Sequence, residues 1–141
     1  MNKVPPLVST AYWIAAVRAQ ETHWSDRLFE DPWAEGLAGE IGKARIQDKT
    51  PESVTPITLR TPYFDDILSQ VSRETEIRQL VLVAPGLDVR AYRLTWQPGT
   101  IIFELDRCEV LEYKAKILSE AMGAPWIGTL DDPLEFLAKL G

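Results

Sequence analysis

Apolar residues follow two different rhythms along this chain. From Ala11 to Val17 they fill nearly every position before Arg18 brings the first charge, so AYWIAAVRAQET predicts a helix buried on several sides. Ser9 and Thr10 precede it as candidate caps. Asp31-Pro32 is a cap and first-turn pair for WAEGLAGEIG, a short helix weakened by Gly36 and Gly39. The polar stretch Lys43 to Thr55, which carries Pro51, predicts a loop. A third helix covers Tyr63 to Val71 and starts at Thr61, with Pro62 in its first turn because a deeper proline would break the hydrogen-bond ladder.

Beyond Gln79 the rhythm changes. The run Leu80, Val81, Leu82, Val83, Ala84 is too short for an ordinary helix and too continuous for a half-exposed strand, so it predicts a parallel strand covered on both faces. A helix from Asp88, a plausible N-cap, to Leu94 comes next, then a strand Thr100 to Glu104 and a helix Glu109 to Met122. A strand Pro125 to Ile127 and a helix Pro133 to Leu140 complete the pattern. Alternation of this kind predicts an α/β fold with three parallel strands in the order 3-2-1. Residues 1–75 form a helical cover over the unit 76–141, the two together making one compact domain.

The junction between the first two strands carries the candidate chemistry. A single glycine, Gly86, ends the first strand, and Asp106 ends the second about 20 residues later, the spacing at which a carboxylate meets a ribose hydroxyl. The turn is not a dinucleotide fingerprint, because that pattern needs further glycines to bare the backbone to a pyrophosphate. S-adenosylmethionine, which needs one close backbone approach and one carboxylate, fits better. A cofactor-free layer whose glycine only turns the chain is the plain alternative.

Composition narrows the partners. A chain of 141 residues, 45% hydrophobic, can bury one core. Its net charge of -6 and lack of a Lys/Arg block argue against nucleic acid and favour a small-molecule substrate. The one cysteine, Cys108, cannot form an internal disulfide and reads as a packed thiol. MNKVPPLVST lacks the apolar core of a signal peptide, and no run approaches the roughly 20 apolar residues of a membrane span. A cytoplasmic protein without membrane association is expected.

Several longer blocks resemble the S-adenosylmethionine-dependent methyltransferases related to leucine carboxyl methyltransferase, in particular their bacterial O-methyltransferase-like branch. They are TAYWIAAVRAQET, DRLFEDPWAEGLAG, PITLRTPYFDD, VLVAPGLDVRAYRL and FELDRCEVLEYKAKIL. The resemblance implies a truncated Rossmann-like class I methyltransferase fold with S-adenosyl-L-methionine as cofactor. It also implies that Arg60 grips the methionine carboxylate, that Gly86 lies at the close approach to the cofactor, that Asp106 holds the ribose and that Leu130 helps hold the adenine. Arg18 and Arg90 lie in family blocks as well, and are read as structural ion pairs, with Asp88 a possible partner. Pro85, Cys108 and Thr129 stand where the family usually has a small residue, a proline and an aspartate.

Methyl transfer from a sulfonium is an in-line displacement that rests on alignment and needs no metal. A hydroxyl acceptor calls for a general base, for which His23 is the weak candidate; a carboxylate acceptor calls for none. The five tryptophans could line an apolar pocket, though most read as core. Family members are roughly twice as long, and the predicted strand order leaves the Leu80 to Ala84 strand at an edge, so a second copy or a partner chain is expected to cover it. Two functions stay open. One is an S-adenosylmethionine-dependent O-methyltransferase acting on a carboxylate or hydroxyl of a small molecule; the other is a shortened relative without transfer activity, serving as a cyclase-type enzyme or a binding subunit.

Overall fold

The computed structural model describes residues 6–122. Five helices and two strands follow one another: α1 (Pro6–His23), α2 (Ala34–Ile46), α3 (Pro51–Glu74), β1 (Gln79–Val83), α4 (Arg90–Arg93), β2 (Ile101–Leu105) and α5 (Cys108–Met122). The expected third strand at Pro125 to Ile127, the last helix and Leu130 lie outside the described residues.

Helix α1 is the centre of the helical layer and packs against α2 and α3. Its apolar run is buried as predicted, with Tyr12, Ala15, Ala16 and Val17 all in the core. The expected cap is displaced, however. The helix opens at Pro6, where a missing N–H breaks no helical bond, and Ser9 and Thr10 therefore lie inside it. Small residues set how closely α2 approaches. A Cβ at Gly42 would strike the backbone carbonyl of Tyr12 and come within 2.8 Å of the Ala38 Cβ, so glycine permits nearly bare-backbone contact there. The chain kinks at Gly39, and α2 resumes as far as Ile46.

The predicted loop from Lys43 to Thr55 is largely helical. Helix α3 begins at Pro51 and runs straight through Pro56 and Pro62, which corrects the expected start at Thr61. Each internal proline removes one ladder bond, at a cost of about 3 kcal/mol. Burial outweighs that cost. Ile57, Thr61, Asp65 and Ser72, spaced to share one helical face, are all buried, and the Thr61 hydroxyl donates to the Ile57 carbonyl at 2.9 Å.

Strands β1 and β2 pair in parallel, from Gln79 opposite Ile101 to Val83 opposite Leu105. Among the described residues they form a two-stranded sheet, so the three-strand expectation is met only in part. The expectation that β1 is covered on both faces fails: its residues alternate, with Val81 44% and Val83 75% exposed while Leu80 and Leu82 are half-buried. One core cluster joins both parts of the chain, combining Tyr12, Leu37 and Ile57 with Leu87, Val89, Val110 and Leu118.

Candidate functional site

Parallel pairing brings the carboxyl ends of β1 and β2 out on the same edge, where an open α/β sheet forms its binding crevice. A hollow of about 790 Å³ lies there, between α1, α3 and the segment Ala84 to Asp88. Arg60, Gly86 and Asp106 all line it, so the pair expected from the strand spacing, Gly86 and Asp106, shares the hollow with the arginine that the family resemblance singled out.

Gly86 and Asp106 are joined directly. The Gly86 N–H donates to Asp106 Oδ2 at 2.7 Å, while Oδ1 accepts the N–H of Arg107, also at 2.7 Å. Gly86 has φ +60°, a left-handed conformation that costs most residues strain. Two positions earlier, Ala84 adopts φ +52° and is the one non-glycine residue with positive φ among the described residues. Its own N–H donates to the Leu105 carbonyl at 2.7 Å, which ties the end of β1 to β2. Strain of this kind persists where the surrounding structure holds it.

Arg60, on α3, is exposed, lines the hollow and has no hydrogen-bond or ion-pair partner among the described residues. The neighbouring arginines are committed. Arg18 donates to Asp31 Oδ2 at 2.8 Å and to the Leu87 carbonyl, and both side chains are almost wholly buried. Asp31 also accepts the Trp33 N–H at 3.2 Å, but α2 starts at Ala34 with Trp33 at its N-cap, so the expected cap and first-turn pair Asp31-Pro32 lies ahead of the helix and Asp31 serves as the partner of Arg18. Arg90 forks onto both oxygens of Asp88 at 2.9 Å, as the ion-pair reading anticipated, and Arg93 pairs with Asp65 at 2.7 Å. Asp88 also accepts the Arg90 N–H at 2.8 Å, but the short α4 has Val89 rather than the expected Asp88 at its N-cap, so Asp88 stands two residues ahead of the helix.

Lys114 is a residue that sequence reasoning missed. Its buried ammonium donates to Glu104 Oε1 and to the Asp88 carbonyl, each at 2.8 Å. With Arg18 on the Leu87 carbonyl, two buried cations therefore hold consecutive carbonyls of the segment after β1. A lone lysine in an amphipathic helix carries no sequence signal for this role. Burial alone would raise the Asp88 carboxyl, but the Arg90 hydrogen bonds and the charges of Arg18 and Arg90 prevail and bring it to about 2. Glu104 is shifted the other way. Burial pushes it above the usual carboxylate range, with Asp88 and Asp106 adding to that and Lys114 opposing it.

The remaining candidates lie elsewhere. His23 ends α1, 3.6 Å from Glu35, and lines a separate hollow of about 280 Å³ with Glu35 and Lys43 rather than the one holding Gly86. Cys108 is exposed instead of packed; its thiol donates to Glu112 at 3.1 Å, and that hydrogen bond and charge raise its pKa and keep it protonated. Among the described residues no tryptophan lines the large hollow, and its one aromatic is Phe64.

Comparison with known proteins decides the family. The model of the leucine carboxyl methyltransferase family matches residues 11–128. This chain belongs to that family. A Mycolicibacterium gilvum protein, provisionally named an S-adenosyl-L-methionine-dependent methyltransferase, is 38% identical over 132 residues, covering 83% of this chain and 44% of the relative. Proteins with the same provisional name from Mycolicibacterium smegmatis and Mycobacterium tuberculosis are 36% and 37% identical over 131 residues. The family member described here thus spans less than half the length of these relatives, 44% and 43% for the last two. No helix among its described residues is long and apolar enough to cross a membrane.

Proposed function

We propose that the hollow beside Gly86 binds S-adenosyl-L-methionine and serves methyl transfer to a carboxylate or hydroxyl of a small molecule. The observation that carries this reading is that one hollow is lined both by Arg60, whose guanidinium has no partner among the described residues, and by the hydrogen-bonded Gly86–Asp106 pair. The residues fit such a cofactor. Arg60 offers a planar fork of donors to an amino-acid carboxylate, and Asp106, whose two oxygens each accept only one backbone N–H, keeps lone pairs for a ribose diol. A cavity of about 790 Å³ falls within the ordinary range of roughly 300–1,000 Å³ for small-molecule sites.

When bound, the cofactor supplies an electrophilic methyl group on a positively charged sulfur. The chain's own work is then to bind, orient and exclude water. Arg18 and Lys114 hold the Leu87 and Asp88 carbonyls, and Asp106 holds the Gly86 N–H, so this wall of the site is set before any ligand arrives. Such preorganisation lowers the ordering cost of binding. A carboxylate acceptor needs no base, which suits a hollow that Arg107 lines and His23 does not. Among the described residues β1 pairs with β2 alone, which supports a further part of the proposal, that another chain or a second copy covers the β1 edge.

Calorimetry tests the cofactor reading. Binding in the micromolar range is expected, and Arg60→Ala should weaken it by about 10- to 100-fold, the worth of a charged hydrogen-bonded pair of roughly 1.5–3 kcal/mol. Failure of the native chain to bind, or binding indifferent to Arg60→Ala, would overturn the reading.

A further inference from the structure

Phe64 is a large apolar residue left 46% exposed, and it lines the same hollow as Arg60. The two residues are four apart on α3, so their side chains are neighbours, about 5–6 Å apart at Cβ. The ring is already oriented. Tyr63 meets it edge-on, with centroids 5.5 Å apart, and the Arg90 guanidinium lies 5.8 Å from its centroid. Because Arg90 is forked onto Asp88, its charge is compensated and does not repel a second cation near the ring.

Resting on the cofactor reading above, we propose that Phe64 binds the cofactor through its ring, presenting an aromatic face to the positively charged sulfur and so distinguishing the sulfonium from the neutral thioether left after transfer. The reasoning is geometric and electrostatic. In a methionine-type chain only a few bonds separate the carboxylate from the sulfur, so a carboxylate held at Arg60 brings the sulfur within reach of a ring one helical turn on. The ring quadrupole adds an attraction for the sulfonium charge to the sulfur–aromatic and apolar contact that the thioether also makes. Transfer of the methyl group discharges the sulfur, and the attraction lapses at the point where the product should leave.

The test compares S-adenosylmethionine with S-adenosylhomocysteine by calorimetry on the whole chain, native and with Phe64→Leu or Phe64→Tyr. Phe64→Leu is expected to weaken the sulfonium ligand about 2- to 10-fold more than the thioether, while Phe64→Tyr keeps the native ratio. Equal losses for both ligands, or no loss, would overturn the proposal. Should Phe64→Leu not fold, a ring-fluorinated phenylalanine at position 64 decides the matter, because it preserves shape and depletes the ring face. The sulfonium preference is then expected to fall, and an unchanged preference overturns the proposal. The two readings separate cleanly: a native chain that binds neither ligand removes both, whereas binding that is lost on Arg60→Ala but keeps its ligand ratio on Phe64→Leu removes only the role of Phe64.

Discussion

Gly86 and Ala84 make a matched experiment, because both sit at positive φ and only one is glycine. Left-handed backbone costs a residue with a Cβ about 1–2 kcal/mol. In Gly86→Ala that strain is added, and the new Cβ lies 3.4 Å from the Ala11 Cβ, ordinary contact that neither relieves nor much worsens it. The stiffer unfolded chain returns about 0.4–1 kcal/mol. The net expectation is a loss of about 1 kcal/mol, or roughly 3–4 °C in melting temperature for a domain of this size. Ala84→Gly inverts both contributions, so it should be neutral or stabilising by up to about 1 kcal/mol, although a glycine substitution in ordinary backbone destabilises. Urea and thermal unfolding followed by circular dichroism measure both variants. A Gly86→Ala chain as stable as the native one, or an Ala84→Gly chain that loses more than about 1 kcal/mol, would refute the argument from backbone strain.

At the α1–α2 crossing, Gly42→Ala should destabilise by about 3 kcal/mol or more, read from denaturant midpoints, since its Cβ collides with rigid backbone. The Asp88 carboxyl lies at about 2 in the fold against an ordinary 3.8, so its contribution of about 2 kcal/mol is present above pH 3.8 and is lost as pH falls through 2. Glu104 has the opposite sign, because a raised folded pKa means stability declines as pH rises through it. Asp88→Asn should therefore flatten the acid limb of a stability-versus-pH curve, and an unchanged limb would assign acid unfolding to other groups. His23→Ala should leave S-adenosylmethionine affinity within about twofold, as calorimetry can show, because His23 lines the separate hollow with Glu35.

Local patterning determined most of the elements and where the candidate site would lie. The apolar run at Ala11 to Val17 demanded burial on several sides, and the glycine-to-carboxylate spacing was enough to locate Gly86 opposite Asp106, because strand lengths and a parallel crossover leave few ways to join them. Lys43 to Thr55 misled for a local reason: its polar residues and Pro51 carry a genuine loop preference, which the buried stripe from Ile57 to Ser72 overrides through contacts that short-range reading does not contain. Strand β1 misled in the opposite sense, since hydrophobicity states what a residue favours and only neighbouring elements decide whether Val83 obtains it. Tertiary structure alone made Lys114 and Arg18 into clamps on adjacent carbonyls and brought Arg60 and Phe64 of α3 to the cavity that Gly86 and Asp106 line. Partners so distant along the chain are chosen by how helices pack, and packing is a property of the folded whole.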